Sequence, residues 1–213
     1  MAEIWQIIDR SKIDLDFIIV DDNSPDGTGQ VAEDLAKQYP LKVIHRAGKL
    51  GLGSAVREGF QASNRPLLGV MDADLSHDPI ILNQLITSLE EYDIALGSRF
   101  EKDSFVEQWP WWRRLISTVG VYLTKKLTSV EDSLSGYFFF RRSVIDEIAL
   151  TTTGYKILLE ILIKGKYHKV KELPFTFRIR RYSSSKLNWK EHWFFVKQLV
   201  GYAFYKVIKG DRK

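Results

Sequence analysis

The stretch "LLGVMDADLSHDP" at residues 67–79 decides the fold, because an apolar run ends there in a cluster of acids. Its first half is apolar, and its second half carries Asp72, Asp74 and Asp78. A short apolar run bounded by polar residues predicts a buried strand. We therefore expect the carboxylates at the rim of a sheet, where the strand leaves the core.

Strand-like and helix-like segments alternate through the first half of the chain. The predicted strands are 15–22, 41–46, 66–74 and 92–100, and the predicted helices are 27–39, 51–63 and 78–91. This alternation predicts an α/β fold, with a mainly parallel, Rossmann-like sheet covered by helices on both faces. Ligands of such sheets bind at the carboxyl ends of the strands, which is where the acids at 21–22 and 72–74 fall.

Both ends of the chain raise structural questions. It opens with an amphipathic helix, "MAEIWQIIDRSKI", so either the strand order is unusual or a leading strand is absent.

The second half contains predicted helices over 108–128, 155–167 and 189–210, a turn, strand and helix over 132–149, and an extended segment over 169–180. The last helix fits either a core helix or an interfacial helix at a membrane. The interfacial interpretation rests on its aromatic and basic residues, Trp189, Trp193, Phe194, Tyr202, Lys190, Lys197, Lys206 and Lys209.

Composition narrows the class of protein. The 213 residues are 45% apolar and 27% charged, which is ordinary for one folded domain. Acids concentrate in the first half, and basic residues dominate from Arg113 onward, so we expect an anionic partner for the second half. The absence of cysteine excludes disulfides and thiolate metal sites. We find no transmembrane segment, no signal peptide, no metal spacing among the four histidines and no nucleic-acid recognition motif.

The acids after the third predicted strand favour a metal site. Asp72 and Asp74 are two residues apart and can converge on Mg²⁺ or Mn²⁺, cations that prefer oxygen ligands and often bridge to substrate phosphates. Ser76 adds a hydroxyl. Asp78 precedes Pro79 and fits a helix cap better than a ligand.

Other candidate residues are weaker when taken singly. The turn "DDNSPDGTG" (21–29) could present Asp22 to a nucleotide, and the Gly-rich "GKLGLGSA" (48–55) is either a plain connection or a nucleotide-binding loop. Arginine forks suit phosphate oxygens, although each one alone is more often a surface charge. The candidates for anion binding are Arg99, Arg113, Arg114, Arg180, Arg181 and Lys186.

Six motifs occur in one order: "DDNSPDGT", "GKLGLGSA", "DADLSHDP", "GSRF", "DSLSGYFFFRR" and "SSSKL". As an ordered set they resemble the family 2 glycosyltransferases of the GT-A fold, and most closely the dolichyl-phosphate (polyprenyl-phosphate) mannose synthases. The resemblance covers about residues 1–205. It implies transfer of mannose from GDP-mannose to a polyprenyl monophosphate with inversion, assisted by a divalent metal.

The resemblance also implies roles for individual residues. Asp22, Lys49 and Asp72 would contact the donor, and Asp72, Asp74 and Ser76 would lie at the metal and the diphosphate. Asp72, Asp74 and Arg99 form the predicted catalytic group. The acceptor phosphate would be held by Arg99, Arg113, Ser117, Arg180 and Lys186. The family often has Gln where Ser76 stands and usually Gly where Ser183 stands.

One departure from the family pattern affects the donor site. The family begins with a strand ending in Pro-Thr-Tyr-Asn-Glu that helps to bind the nucleotide, and residues 1–14 match the helix that follows it. We therefore hypothesise a truncated, mis-started or degenerate chain in which donor binding is weakened. The alternatives are another sugar specificity, such as a polyprenyl-phosphate glucosyltransferase, and an inactive membrane-associated pseudo-enzyme.

The expected organisation follows from this resemblance. Residues 1–180 would form the glycosyltransferase domain, and 181–213 a basic segment with a membrane-proximal amphipathic helix. A lipid acceptor implies a membrane surface or a membrane-anchoring partner, at the cytoplasmic face and without a transmembrane segment.

Overall fold

The computed structural model describes residues 4–7, 14–107, 111–154, 156–178 and 189–209, without the side chains of 112–114, 189–194 and 209. Strands and helices alternate as far as the fourth strand. In chain order the elements are β1 (Phe17–Asp21), α1 (Thr28–Ala36), β2 (Leu41–His45), α2 (Leu52–Ala62), β3 (Leu67–Val70), α3 (Leu82–Ser88), β4 (Ile94–Ser98), β5 (Phe105–Val106), α4 (Trp111–Thr124), β6 (Phe138–Arg141), α5 (Ile157–Lys164), β7 (Val170–Pro174), β8 (Thr176–Phe177) and α6 (Trp189–Lys209). Short 3₁₀ helices span Pro79–Ile81 and Arg142–Val144.

The predicted elements of the described residues are confirmed, with one exception. The helix expected near the end of 132–149 is wrong, because only the 3₁₀ turn Arg142–Val144 forms there. The guanidinium of Arg142 donates hydrogen bonds to the carbonyls of Arg65 (2.8 Å) and Ser63 (2.6 Å). These long-range bonds tie the segment to the start of β3, so tertiary contacts override its local helical pattern.

The largest sheet has the strand order β3-β6-β4-β7 and is mixed. Strand β6 runs antiparallel to both β3 and β4, whereas β7 runs parallel to β4. Strands β3, β4 and β7 therefore share one direction, and their carboxyl ends lie at one edge together with the start of β6. This edge receives the residues that follow β3 and β4, which include the predicted metal and phosphate ligands.

Strands β1 and β2 form a separate parallel pair, and within the described part of the chain no strand joins β1 to β3. The beginnings of β1 and β3 are instead bridged by Arg65, whose guanidinium pairs with Asp14 and Asp16 at 2.6 Å each. Helix α2 packs against both strands, since Gly59 faces Val20 and Phe60 lies in the cluster with Leu68. Among the described residues, Arg65 and α2 therefore connect the β1-β2 pair to the larger sheet, and no strand is shared between them.

Helices α4 and α6 share a third apolar cluster, which contains Val121, Leu134 and Tyr202 with Phe195 and Leu199 packed against it. The opposite faces of both helices are exposed. The exposed apolar side chains are Trp111, Leu115, Ile116, Val119, Tyr122 and Leu123 of α4 and Val196, Val200, Phe204, Val207 and Ile208 of α6. Helix α6 thus has both a core face and an exposed apolar face, and Tyr202 belongs to the core face, not to the interfacial one. Among the helices described, none is long and apolar enough to cross a membrane.

Candidate active site

The loop after β3 holds its two acids in a bent backbone. Leu75, between Asp74 and Ser76, has φ 64°, in the left-handed region that bulky residues rarely adopt. Asp74 Oδ1 accepts hydrogen bonds from the backbone N–H (3.0 Å) and the hydroxyl (2.5 Å) of the fully buried Ser76. The two hydrogen bonds from Ser76 orient the Asp74 carboxylate. Metal ligation by Ser76 stays a prediction.

A buried histidine supports the same loop. The backbone N–H of Asp72 donates to His77 Nδ1 at 3.0 Å, so the neutral ring carries its proton on Nε2. The ring stacks on Tyr137 at 5.1 Å, and the rings of Phe175 and Phe177 meet it edge-on at 5.8 and 5.7 Å. This aromatic packing fixes the position of the Asp72 backbone.

Arg99 follows β4 at the same edge and pairs with a residue to which the sequence reasoning gave no role. Its Nε and Nη2 donate to the two carboxylate oxygens of Asp132 at 2.8 and 2.7 Å, and its backbone N–H donates at 2.9 Å. Asp132 is fully buried. Burial alone would lower the pKa of the Arg99 guanidinium, but the Asp132 carboxylate, with help from Asp72, outweighs burial and raises that pKa.

Glu172 of β7 holds the turn that carries Asp132. Its two carboxylate oxygens accept the backbone N–H groups of Glu131 (2.7 Å) and Asp132 (3.0 Å). Burial raises the pKa of Glu172, although these two donors oppose the shift. The buried hydroxyls of Thr124 in α4 and Ser133 lie 2.6 Å apart, so α4 is joined to the same turn.

Lys156, directly before α5, is a second cation that the sequence reasoning missed. Burial lowers the pKa of its amine to about 8, and the charge of Arg99 acts in the same direction, against those of Asp132 and Asp72. Its Nζ lies 5.9 Å from the centre of the Phe195 ring on α6. Four charged groups therefore form one cluster at the carboxyl edge of the sheet: Asp72, Arg99, Asp132 and Lys156.

The predicted donor-side residues lie at the ends of β1 and β2. Asp22 is ion-paired with Arg46, which follows β2, at 2.8 Å. Lys49 is exposed in the loop between β2 and α2. The Gly-rich loop supports another loop, because the Gly53 N–H donates to the Thr153 carbonyl at 3.0 Å and a Cβ at Gly51 would collide with that oxygen.

The predicted acceptor-side residues are only partly described. Ser117 is half-buried in α4, where Arg113 also lies without a described side chain, and Arg180 and Lys186 fall outside the described residues. Arg178, which the sequence reasoning missed, leads into that segment. Its backbone N–H donates to the Ser76 carbonyl at 2.9 Å and its Nη2 contacts Asp78 Oδ2 at 2.8 Å. The expected cap at Asp78 is confirmed by a bond from the Ile80 N–H at 3.1 Å.

The residues after β3 fit a hard divalent cation. Asp72 and Asp74 supply carboxylate oxygens, both side chains are partly exposed, and the cationic groups that balance them lie on other elements. No cluster of three or more His, Cys, Asp or Glu side chains that could hold a metal is found in the described ranges. The pair fits a cation whose remaining ligands come from substrate and water.

This mixed sheet, with acids and cations where the like-directed strands β3 and β4 end, has the GT-A fold of nucleotide-sugar transferases. The chain belongs to glycosyl transferase family 2, whose family model matches residues 3–149. A solved structure with this fold is that of glucosyl-3-phosphoglycerate synthase from Mycobacterium tuberculosis with Mn²⁺, UDP-glucose and phosphoglyceric acid. Its superposition on this chain has a TM-score of 0.62 at 17% sequence identity. The match covers 99% of this chain and 77% of that one.

Two curated relatives are similar in sequence over most of the chain. The dolichol-phosphate mannosyltransferase of Pyrococcus furiosus is 42% identical over 218 residues, which is 99% of this chain and 60% of the relative. The dolichol-phosphate mannosyltransferase of Saccharomyces cerevisiae is 35% identical over 82% of this chain and 69% of the relative. The chain thus spans 60% and 69% of the lengths of these two relatives.

Proposed function

We propose that this chain transfers mannose from GDP-mannose to a polyprenyl or dolichyl monophosphate, with inversion at the anomeric carbon. One observation carries the proposal. Asp72 and Asp74, which follow β3, lie at the same edge of the sheet as the ion pair between Arg99, which follows β4, and Asp132. The names of the two relatives support the choice of sugar and acceptor.

Donor binding in this proposal uses the β3 loop. Asp72 and Asp74, with Ser76 orienting Asp74, would hold Mg²⁺ or Mn²⁺, and the bound cation supplies positive charge to the leaving diphosphate. The M. tuberculosis glucosyl-3-phosphoglycerate synthase binds Mn²⁺ together with UDP-glucose, which supports a divalent ion here. Asp22 and Lys49 would contact the nucleotide.

Acceptor binding uses the basic side of the site. Arg99, kept in place by Asp132, would bind the lipid phosphate together with Arg113, Ser117, Arg180 and Lys186. An acceptor phosphate oxygen forms the new bond to C1 of mannose as the bond from C1 to the diphosphate oxygen breaks, and GDP leaves with the electron pair. The phosphomonoester is already an anion, so no side chain has to remove a proton, and positioning supplies the catalysis.

Membrane association belongs to the same proposal. Residues 1–180 would form the catalytic domain, and 181–213 would help to dock it at the cytoplasmic face of a membrane, alone or with an anchoring partner. The exposed apolar faces of α4 and α6 support docking, because an amphipathic helix buries such a face at the lipid interface.

A second candidate is favoured by the divided sheet. Because β1 and β3 are not hydrogen-bonded to a common strand in the described part of the chain, Asp22 and Asp72 stand on separately supported strand ends. A pseudo-enzyme with this arrangement would fold and dock but bind the donor weakly.

A transfer assay separates the candidates. The purified chain is incubated with radiolabelled GDP-mannose, Mn²⁺ and dolichyl phosphate, and labelled lipid is extracted. We expect lipid-linked mannose, a fall of at least about 100-fold in Asp72→Ala and Asp74→Ala, and little competition by UDP-glucose. Asp146→Ala is the control, because Asp146 is exposed beyond the far end of β6. Transfer that survives both substitutions contradicts the proposal, and preferred use of UDP-glucose changes the sugar.

A further inference from the structure

Lys156 is a charged side chain in the site to which the proposed function assigns no role. It precedes α5, and its amine makes no hydrogen bond or ion pair within the described part of the chain. Its one described partner is the Phe195 ring, which its Nζ faces at 5.9 Å. The side chain is partly buried and burial lowers the pKa of its amine, so an anionic ligand that reached the amine would offset the cost of burying its charge.

The loop that positions Lys156 is held at both sides. The fully buried Glu160 accepts the backbone N–H groups of Thr151 and Thr152, each at 2.9 Å. On the other side, the Thr153 carbonyl receives the Gly53 N–H from the Gly-rich loop. These hydrogen bonds hold the backbone of residues 151–153, shortly before Lys156. Lys156 therefore lies between the Gly-rich loop proposed for the nucleotide and the helix that carries Phe195.

The neighbouring charges define what the amine can bind. The charges of Arg99, Asp132 and Asp72 all act on it, and Asp132 already accepts three hydrogen bonds from Arg99. An anion that enters beside Arg99 would find a second cation in Lys156. With its pKa lowered to about 8, the amine is still mostly protonated at pH 7.

We propose that Lys156 binds a phosphate oxygen of the substrates, as a second cation beside Arg99. The inference deepens the proposed function and rests on it. The ligand chemistry is a phosphate oxyanion, which comes either from the donor diphosphate or from the acceptor monoester. Lys156 would help to hold the two phosphate groups together although both are negatively charged.

The test compares Lys156→Met with Lys156→Arg, Phe195→Leu and Lys171→Met. Phe195→Leu removes the ring but keeps the amine, so it reproduces a purely structural role in holding α6. Lys171 also faces an aromatic ring, that of Tyr92 at 5.7 Å, and its removal controls for loss of such a contact. Thermal unfolding of each variant establishes that it is folded.

Two measurements distinguish the sources of the phosphate. Calorimetry with GDP and Mn²⁺ reports the donor side, and the KM for dolichyl phosphate reports the acceptor side. We expect Lys156→Met to weaken one of them about tenfold or more, with Lys156→Arg restoring most of the loss and the other two variants within about threefold of the parent. A change in GDP affinity assigns the donor, and a change in KM assigns the acceptor.

Two results overturn the inference. If Lys156→Met leaves both the GDP affinity and the KM unchanged, the amine binds no phosphate. If Phe195→Leu has the same effect as Lys156→Met, the role of Lys156 is structural. If the unsubstituted chain neither binds GDP nor transfers mannose, the proposed function fails first, and the inference falls with it.

Discussion

Arg99 and Asp132 form a buried, two-pronged ion pair at the carboxyl edge of the sheet, with both oxygens of Asp132 engaged. Asp132 also accepts the backbone N–H of Arg99, so it sets the position of the backbone as well as that of the guanidinium. Asp132 therefore determines where the Arg99 guanidinium lies, and in the proposed function this is where Arg99 would bind the acceptor phosphate.

Asp132→Asn should disorient Arg99 and destabilise the fold. The substitution leaves a buried guanidinium without its counter-charge, for which we expect a loss of about 3 kcal/mol in the free energy of unfolding. Urea unfolding measures this loss. Glu131→Gln is the control, because its side chain is half-exposed and pairs only with Lys125 in the described chain, so we expect a change below about 0.5 kcal/mol. Equal effects of the two substitutions would contradict this role of Asp132.

His77→Ala should impair the loop that carries Asp72 and Asp74 more than the core. The substitution removes the acceptor of the Asp72 N–H and the ring between Tyr137 and Phe177. We expect the affinity for GDP with Mn²⁺ to fall about tenfold, measured by calorimetry on a folded sample. Tyr137→Phe keeps the stacked ring and removes only a buried hydroxyl that has no partner among the described residues, so affinity should not change. A loss in Tyr137→Phe as large as in His77→Ala would refute the assignment.

Lys156→Met should stabilise the chain at neutral pH, and less so in alkali. The pKa of Lys156 is lowered in the fold, from 10.5 to about 8, so between these values the unfolded chain binds more protons than the folded one. The burial penalty is therefore present below pH 8 and is relieved as the pH rises toward 10.5. Urea unfolding at pH 7 and pH 10 should show a larger gain for Lys156→Met at pH 7. An equal gain at both pH values would contradict the lowered pKa.

Charges on the exposed face of α6 should weaken membrane docking. Val207 and Ile208 are 82% and 80% exposed, so replacing both with Asp changes little inside the fold. We expect binding to anionic phospholipid vesicles, measured by flotation, to fall at least about fivefold. Val31→Asp is the control, because Val31 is 60% exposed on α1. Unchanged binding would exclude this face of α6 from the interface.

Local patterns were sufficient for the alternation of β1 to β4 with the helices between them, because each apolar run ends in turn residues. They also placed Asp72, Asp74 and Arg99 at strand ends, and the carboxyl-end rule for parallel sheets then brought these residues to one edge. The antiparallel β6 between β3 and β4 could not be read in this way, since pairing depends on distant partners. The same limit explains the wrong helix after β6, where Arg142 contacts residues almost eighty positions earlier.

The missed site residues share a different cause. Asp132, Glu172 and Lys156 lie far apart in sequence and become a cluster only through long-range hydrogen bonds and charges. Only "DSLSG" carried a signal, as one of the ordered motifs, and it assigned no role to Asp132. His77 was missed because its function here is to accept a backbone hydrogen bond, which no metal or catalytic spacing reveals.

Calorimetric titration of GDP-mannose into the purified chain with Mn²⁺, repeated with Asp74→Ala, tests the central claim most directly. The account predicts binding by the parent chain, a loss of at least about tenfold in Asp74→Ala, and parent-like binding in the exposed control Asp146→Ala. Ordinary micromolar affinity in the parent would also refute the hypothesis that the divided sheet weakens donor binding. A folded parent chain that binds no GDP-mannose would contradict the proposed transferase and favour the pseudo-enzyme.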